Sequence, residues 1–418
     1  MNIVSVFDGM ACGMLAMQSA GIRVDRYVAF EIEKYAVQTS THNFPMIEHR
    51  GDVFQADFTE FSGFDFLIGG SPCTYWSIAQ KNNRETEASG MGWELFSQYV
   101  RALHEAKPMY FIYENNKSMS KAIRESITEA FGFEPICINS ALVSAQNRQR
   151  LYWVGRRNAD GTYRQVKVDQ PEDRGILLRD VLDGMALKEK ANCLCGNRGG
   201  CSLGHDLEKQ KHNYVAVPVR IPEYGDEDKA RPLGANYSNN CGGFYHRMFS
   251  ENPNKQQVDM VAQPVRVGTY PNNAKNQDHD SQQYRIYSTD GKGVTLCGNG
   301  GGMGAKTGLY AIPTEAVGCT DGKKYTVYQV KDGQITIKGK QYPIKLADGY
   351  YIIRKLTVSE CKRLQTVPEW YEFPVSDTQA YKMLGNGWTV EVIAHLIKAT
   401  QTNELGEEQL DLFKLEAI

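Results

Sequence analysis

Residues 69–77 read GGSPCTYWS and place a cysteine behind a proline at the end of a short apolar run, residues 64–68. Proline fixes φ and stiffens such a loop, glycines let backbone approach a ligand closely, and a loop beyond a strand end exposes the sulfur. A cysteine attacks as its thiolate, so Cys73 needs positive or hydrogen-bonding surroundings to serve as a nucleophile. Taken alone, the segment fits a buried, inert cysteine equally. Phe7-Asp8-Gly9, followed by Gly13, forms a strand-to-helix turn suited to a cofactor at a helix N-terminus, although a short glycine turn is often only a turn. Glu31 ends the next β-prone run, at the place where acids accept hydrogen bonds from ribose hydroxyls in nucleotide folds. Asp52, within Gly51-Asp52-Val53, offers the same service to an adenine amino group. Glu114 and Asn115 end a further strand, and a protonated acid there donates to a ring nitrogen. Each acid, taken singly, also fits a surface charge.

These residues need elements to hold them. Residues 2–7, 26–30, 64–68, 109–113 and 150–154 read as strands, and residues 14–20, 93–105 and 121–131 as helices. Strands alternating with helices imply a parallel sheet covered on both faces, with ligands beyond the carboxyl ends of the strands. From about residue 184 to 350, glycine, asparagine and polar residues dominate, helical periodicity fades, and short β-like runs appear at 214–221 and 325–330. There LCGNRGG (194–200) recurs as LCGNGGG (296–302), and VAVPVRI (215–221) as VAQPVRV (261–267). Two matches are too few for a solenoid, so the segment reads as an irregular insertion built partly from related pieces. Helical patterning returns at 356–364 and 390–400. The expected organisation is 1–183, an insertion at 184–350, a returning segment at 351–402, and an acidic tail at 403–418 that packs loosely or frays.

The chain has 418 residues, 41% hydrophobic and 23% charged, which suits a globular protein of two or three domains. No run approaches the roughly 18 apolar residues of a membrane span. MNIVSVFDG lacks a basic n-region and a cleavage-like site, so it reads as a strand that starts at once, with no leader and no preceding domain. Ten cysteines without even pairing point to reduced thiols in a cytoplasmic setting. Cys193, Cys195, Cys201, His205 and His212 lack the paired Cys-x-x-Cys spacing of structural zinc, and no metal is expected. A net charge of −2 gives no global attraction to nucleic acid, so any basic surface must be local.

Taken in order, FDGMACG, Glu31, Asp52, GGSPC, the strand-terminal ENN, QNRQR (146–150), RKLTVSECKRLQ (354–365) and LGNGWTV (384–390) resemble the motifs of cytosine-5 DNA methyltransferases. The resemblance covers about residues 1–155 and 354–400, and looks most like the de novo branch and its bacterial or phage relatives. It implies an α/β, Rossmann-like S-adenosylmethionine-dependent methyltransferase domain with a loop-rich, mostly β target-recognition insertion. Cys73 would add to C6 of a cytosine flipped out of duplex DNA. Glu114 would protonate N3, Arg150 would hold O2, and Arg148 would support the pocket. Phe7, Asp8, Gly9, Met10 and Gly13, then Glu31, Ile32, Asp52, Val53, Ser71 and Pro72, with Asn386 and Trp388 from the C-terminal segment, would line the cofactor site. Ser77, Arg220, Arg247, Arg266 and Arg285 would meet DNA, with solvated surface as the alternative for each arginine.

Two strings depart from the family: Glu-Asn-Asn replaces Glu-Asn-Val, setting Asn116 beside the acid, and Gly-Asn-Gly-Trp replaces Gly-Asn-Ser-Val. An RNA cytosine methyltransferase and a non-catalytic DNA-binding relative are the rival readings. The large insertion favours duplex DNA, and an intact Cys73, Glu114 and Arg150 favour catalysis. A cognate restriction endonuclease is an open partner, and the sequence leaves the oligomeric state undetermined.

Overall fold

The computed structural model describes residues 1–78, 84–183, 262–271, 282–298, 303–304, 306–314, 319–320 and 323–415. The motif repeats at 194–200 and 215–221, the cysteine and histidine cluster at 193–212, Arg220 and Arg247 lie outside the described residues. The chain divides into two compact units, 1–182 together with 261–418, and 183–260.

The first unit is organised by a sheet of strands β1 (Asn2–Val6), β2 (Arg26–Phe30), β3 (Glu48–His49), β4 (Phe66–Gly69), β5 (Tyr110–Asn116), β6 (Ile136–Asn139), β7 (Gln149–Arg157) and β8 (Tyr163–Gln165). Its order is β3-β2-β1-β4-β5-β7-β6, with β8 paired to β7. Strands β1, β2, β4 and β5 run parallel. Their near-continuous apolar sequences, such as FLIG in β4 and YFIY in β5, suit strands covered on both faces. The chain passes from β1 to β2 on one side and returns to β4 on the other. That reversal opens a crevice beyond the carboxyl ends of β1 and β4.

One strand corrects the expectation of an all-parallel sheet. β7 runs antiparallel to both β5 and β6. The parallel crossover from β5 through helix α4 (Lys121–Phe131) to β6 skips one slot. The link from Asn139 to Gln149 is too short for a crossover helix, so β7 can enter that slot only from the opposite direction.

Helices α1 (Cys12–Ser19), α2 (Lys34–Asn43) and α3 (Gly90–Ala106) complete the layers of this half. α3 buries Phe96, Tyr99, Ala102, Leu103 and Ala106, and α4 buries Ile123, Ile127 and Phe131, each set at helical spacing. The hydroxyl of Ser120 caps α4, accepting from Ile123 N at 3.2 Å, and Gly132 closes it with φ 81°. These faces meet Phe111, Tyr113 and Trp153 in an aromatic core.

The part of the expected insertion that is described is more regular than its composition suggests. Strands β9 (Arg266–Thr269), β10 (Arg285–Ser288), β11 (Leu309–Thr314), β14 (Val327–Lys331), β15 (Gln334–Ile337), β16 (Lys340–Pro343) and β17 (Gly349–Arg354) form a seven-stranded, mainly antiparallel sheet, and β12 (Cys319–Thr320) pairs with β13 (Lys323–Lys324). The sheet has its own core, including Val267, Ile286, Leu309, Val330, Ile335 and Ile344. β17 runs without a break through residue 350 into the RKLTVSECKRLQ motif.

Beyond it lie α5 (Val358–Leu364), α6 (Asp377–Asn386) and α7 (Val390–Leu415). Helix α7 continues through Leu415, and its last stretch is rich in Glu, Leu, Gln and Lys, all good helix formers. The chain from 291 to 297 lies along residues 145–148. Gly293 N donates to Ala145 O at 2.6 Å, Asn147 N donates to Gly293 O at 2.9 Å, and Thr295 Oγ1 donates to Asn147 O at 2.6 Å. Buried Lys292 adds a three-way tie, its Nζ donating to the carbonyls of Ala141, Ser144 and Ile176 at 2.7, 3.0 and 2.6 Å.

Candidate active site

The turn after β1 is tightly wound: Phe7, Gly9 and Ala11 all have φ near +60°. Glu31, at the end of β2, holds this turn. One carboxylate oxygen accepts from Gly9 N at 2.8 Å, and the other from Ile32 N and Glu33 N at 2.9 and 2.8 Å. Ile32 beside it is 76% exposed, and Phe54 is also exposed. Asp52 caps the short turn Val53–Gln55, its Oδ1 accepting from Phe54 N at 3.0 Å, while Val53 is buried.

Three of the expected cofactor residues sit behind this surface. Asp8 is buried and its Oδ1 accepts from Ser5 Oγ and Tyr27 Oη, both at 2.6 Å. Burial pushes its carboxyl up to about 6, against the lowering effect of those two bonds. Met10 is buried, with its carbonyl accepting from Tyr371 Oη at 2.6 Å. Gly13 is a packing residue, since a Cβ there would stand 2.5 Å from Tyr27 Oη and collide with Ile68.

β4 and β5 deliver the Pro-Cys loop and Glu114 side by side. Gly70 leaves the space that the acid fills, because a Cβ there would lie 2.7 Å from Glu114 O and 3.0 Å from Glu114 Oε2. Ser71 is buried, with Oγ 2.7 Å from Tyr113 Oη, and Asn115 Nδ2 donates to Ser71 O at 3.1 Å. After Pro72, Cys73 begins a short turn in which Trp76 N and Ser77 N both donate to Cys73 O. Trp76 is fully buried and plugs the base of the loop; its Nε1 donates to Glu85 Oε2 at 3.0 Å. Arg84 bridges the loop to β5's exit, donating to Trp76 O at 3.1 Å and Ser118 O at 2.7 Å. Cys73 itself is half-buried.

Both oxygens of Glu114 are engaged. Arg150 Nε stands 3.1 Å from Oε1, and Trp388 Nε1 donates to Oε2 at 2.9 Å. Asn116 turns to its neighbours, donating to Asn115 Oδ1 at 3.1 Å and accepting from Ser118 Oγ at 2.7 Å. Arg148 points into the protein, with Nη1 donating to Leu296 O at 3.3 Å and Gly385 O at 3.1 Å, and Nη2 to Gly387 O at 2.8 Å. Burial, with Arg150 close by, pulls its guanidinium down, and the nearby carboxylate of Glu114 opposes that. Asn386 ends α6 with its carboxamide packed against Gly298. Burial pushes the thiol of Cys297, in the same strip, up, and nearby Arg148 and Arg150 oppose that.

The RKLTVSECKRLQ motif braces this region. Arg354 and Glu360 form a buried pair at 2.7 Å, and Thr357 and Glu360 form a capping box for α5. Gln365 Nε2 then donates to Leu384 O at 2.6 Å and Gly387 O at 3.2 Å. Of the expected DNA contacts, Ser77 is half-buried beside Cys73. Arg266 is exposed on β9, donating to Thr269 Oγ1 at 2.8 Å, and Arg285 starts the adjoining β10. The sequence reading missed Gly70, Cys297, Gln365 and the Trp76-Glu85-Arg84 brace as parts of the site. Gly70 and Trp76 stand in GGSPCTYWS, Gln365 in RKLTVSECKRLQ and Cys297 in the second LCGN string, whereas Arg84 and Glu85 stand in none of the quoted strings.

An α/β sheet with a crevice at its switch point, a cysteine loop and an acid on adjacent parallel strands, and a β-rich insertion define a Rossmann-like methyltransferase. Residues 1–402 match the C-5 cytosine-specific DNA methylase family, and the chain belongs to it. It is 26% identical over 333 residues to the orphan methyltransferase M.Rho11sI of Bacillus phage rho11s, covering 75% of this chain and 60% of that protein's length. It is 23% identical over 449 aligned positions to the type II methyltransferase M.BanI of Aneurinibacillus aneurinilyticus, covering 97% of both. A solved structure described as a DNA modification methyltransferase encoded within an Escherichia coli prophage shares its fold, with a TM-score of 0.52 at 17% identity over 96% of this chain and 99% of the other. Spodoptera frugiperda DNMT2 does so at 0.51 and 15%, over 95% and 98%.

Proposed function

We propose that this chain transfers a methyl group from S-adenosylmethionine to C5 of a cytosine flipped out of duplex DNA, with Cys73 as nucleophile. The observation that carries the reading is the Glu114–Arg150 pair beside the loop that carries Cys73, at the ends of adjoining strands in a family member. The cofactor fits the β1–β2 end of the crevice. Space above Gly9 is open, Glu31 and Asp52 offer acceptors for ribose and adenine, and Ile32 and Phe54 offer exposed apolar surface to a flat ring.

Cys73 Sγ forms a bond to C6 of the cytosine while Glu114 gives a proton to N3, and Arg150 holds O2 as electron density moves onto the ring. Bound at the β1–β2 end, S-adenosylmethionine would supply the electrophilic methyl group to C5 and leave as S-adenosylhomocysteine. The C5 proton then passes to solvent water, Cys73 leaves as its thiolate to restore the aromatic ring, and Glu114 recovers its proton from N3. Residues 184–350 choose the target sequence, with Arg220, Arg247, Arg266 and Arg285 meeting phosphates or base edges. The phage and bacterial relatives support a cytoplasmic site of action in a bacterium or phage-infected cell.

Incubation with labelled S-adenosylmethionine and mixed duplex DNA and transfer RNA, followed by mapping of modified cytosines, tests this. The expected product is 5-methylcytosine at one short duplex sequence. Label confined to RNA, or absent, overturns the reading.

A further inference from the structure

The two partners of Glu114 differ in kind. Arg150 comes from the pocket itself, its Nε 3.1 Å from Oε1, and in the reaction proposed above it turns toward O2 of the entering base. Trp388 comes from a backbone that is fixed from several directions. Arg148 donates to the carbonyls of Gly385 and Gly387, and Gln365 to those of Leu384 and Gly387. The next residue, Thr389, donates from Oγ1 to Gln365 Oε1 at 2.8 Å and lies 2.8 Å from Ser140 Oγ. On the far side, Gly70 lets Glu114 Oε2 sit close enough for the indole to reach it at 2.9 Å.

We propose that Trp388 is a positioning residue for Glu114, holding Oε2 so that Oε1 stays aimed at the base when Arg150 turns away, and that Arg148 acts on catalysis through Trp388. This rests on Glu114 being the group that protonates the base. A fixed neutral donor suits this position because it survives the exchange of partners at the other oxygen, whereas a second cation would compete with the base for the acid. It also gives the departure from Gly-Asn-Ser-Val a purpose beyond lining the cofactor site.

Trp388→Phe keeps an aromatic ring and removes the N–H. Methyl transfer at saturating cofactor and DNA should fall about tenfold, the scale of one lost hydrogen bond to a charged group. Covalent adduct formation with 5-fluorocytosine DNA should slow by the same factor, while affinity for S-adenosylhomocysteine stays within about twofold. A variant that loses cofactor affinity but keeps its saturated rate, or one whose adduct forms at full speed, overturns the proposal. Should Trp388→Phe fail to fold, the indole N–H resonance of Trp388 remains as the test. Glu114→Gln must shift it, and an unmoved resonance overturns the proposal. Full turnover by Glu114→Gln would instead remove the reading of Glu114 as the acid, a failure distinct from that of the Trp388 assignment.

Discussion

The two ends of the crevice are held by bonds of very different reach. At the β1–β2 end, Glu31 is tied to residues 9, 32 and 33, and Asp52 to residue 54. At the β4–β5 end, Trp388 reaches Glu114 across 274 residues, and Arg148 reaches Gly385 across 237 and Leu296 across 148. The first end is held mainly by such local bonds, with Tyr371 Oη to Met10 O and Lys382 Nζ to Glu33 Oε1 as its ties to the C-terminal segment. The second exists only once residues 291–298 and 384–389 have packed against 145–150. Cofactor binding and chemistry should therefore separate under mutation.

The largest separation is expected for Cys73→Ser. A serine hydroxyl is far less nucleophilic than a thiolate, so methyl transfer should fall by about three orders of magnitude or more. Cofactor binding by calorimetry should be unchanged. Arg148→Met strands the carbonyls of Leu296, Gly385 and Gly387 in a buried setting. It should cost about 3 kcal/mol of unfolding free energy in urea titration and reduce turnover more than tenfold. Cofactor affinity should again move little, and a large loss there would break the distinction between the two ends.

Glu31→Ala sharpens the comparison from the other side. Cofactor affinity should weaken about tenfold, while the rate at saturating cofactor stays within about twofold. Asp8 gives the smallest effect and one that depends on pH. Its folded-state carboxyl is raised from 3.8 to about 6, so the neutral form is favoured by folding. That stabilisation is fully present below pH 3.8 and is lost as pH rises through about 6. The loss amounts to about 3 kcal/mol when complete. Asp8→Asn should thus gain more on wild type at pH 7.5 than at pH 5 in cofactor-free denaturation curves. Parallel curves at the two pH values would contradict this.

The same contrast in reach governs what is legible in the sequence. Residues 26–30 and 121–131 read with the bounds the structure shows, because apolar spacing and the Ser120 and Gly132 caps are local signals. Glu31 is legible as a strand-end acid, and Asp52 within Gly51-Asp52-Val53, for the same reason. The direction of β7 is not, since it depends on a slot left open by α4. The sheet from β9 to β17 is legible only as a mostly β insertion with a run at 325–330, because its other short strands alternate too briefly to stand out among glycine and asparagine. Trp388 reads as a cofactor residue from its motif; no pattern in a linear chain shows that its indole meets Glu114. Arg148 groups with Arg150 because both belong to QNRQR, yet the short step along the chain turns one inward to backbone and the other to the acid.

The central claim is that Cys73 makes the bond to the base. Wild-type protein incubated with S-adenosylmethionine and duplex DNA carrying 5-fluorocytosine should become trapped, because fluorine at C5 cannot leave as a proton does. Peptide mapping of the trapped complex should then find the nucleotide on Cys73. No adduct on a DNA that is methylated when it carries ordinary cytosine, or an adduct on Cys297 instead, would contradict the account.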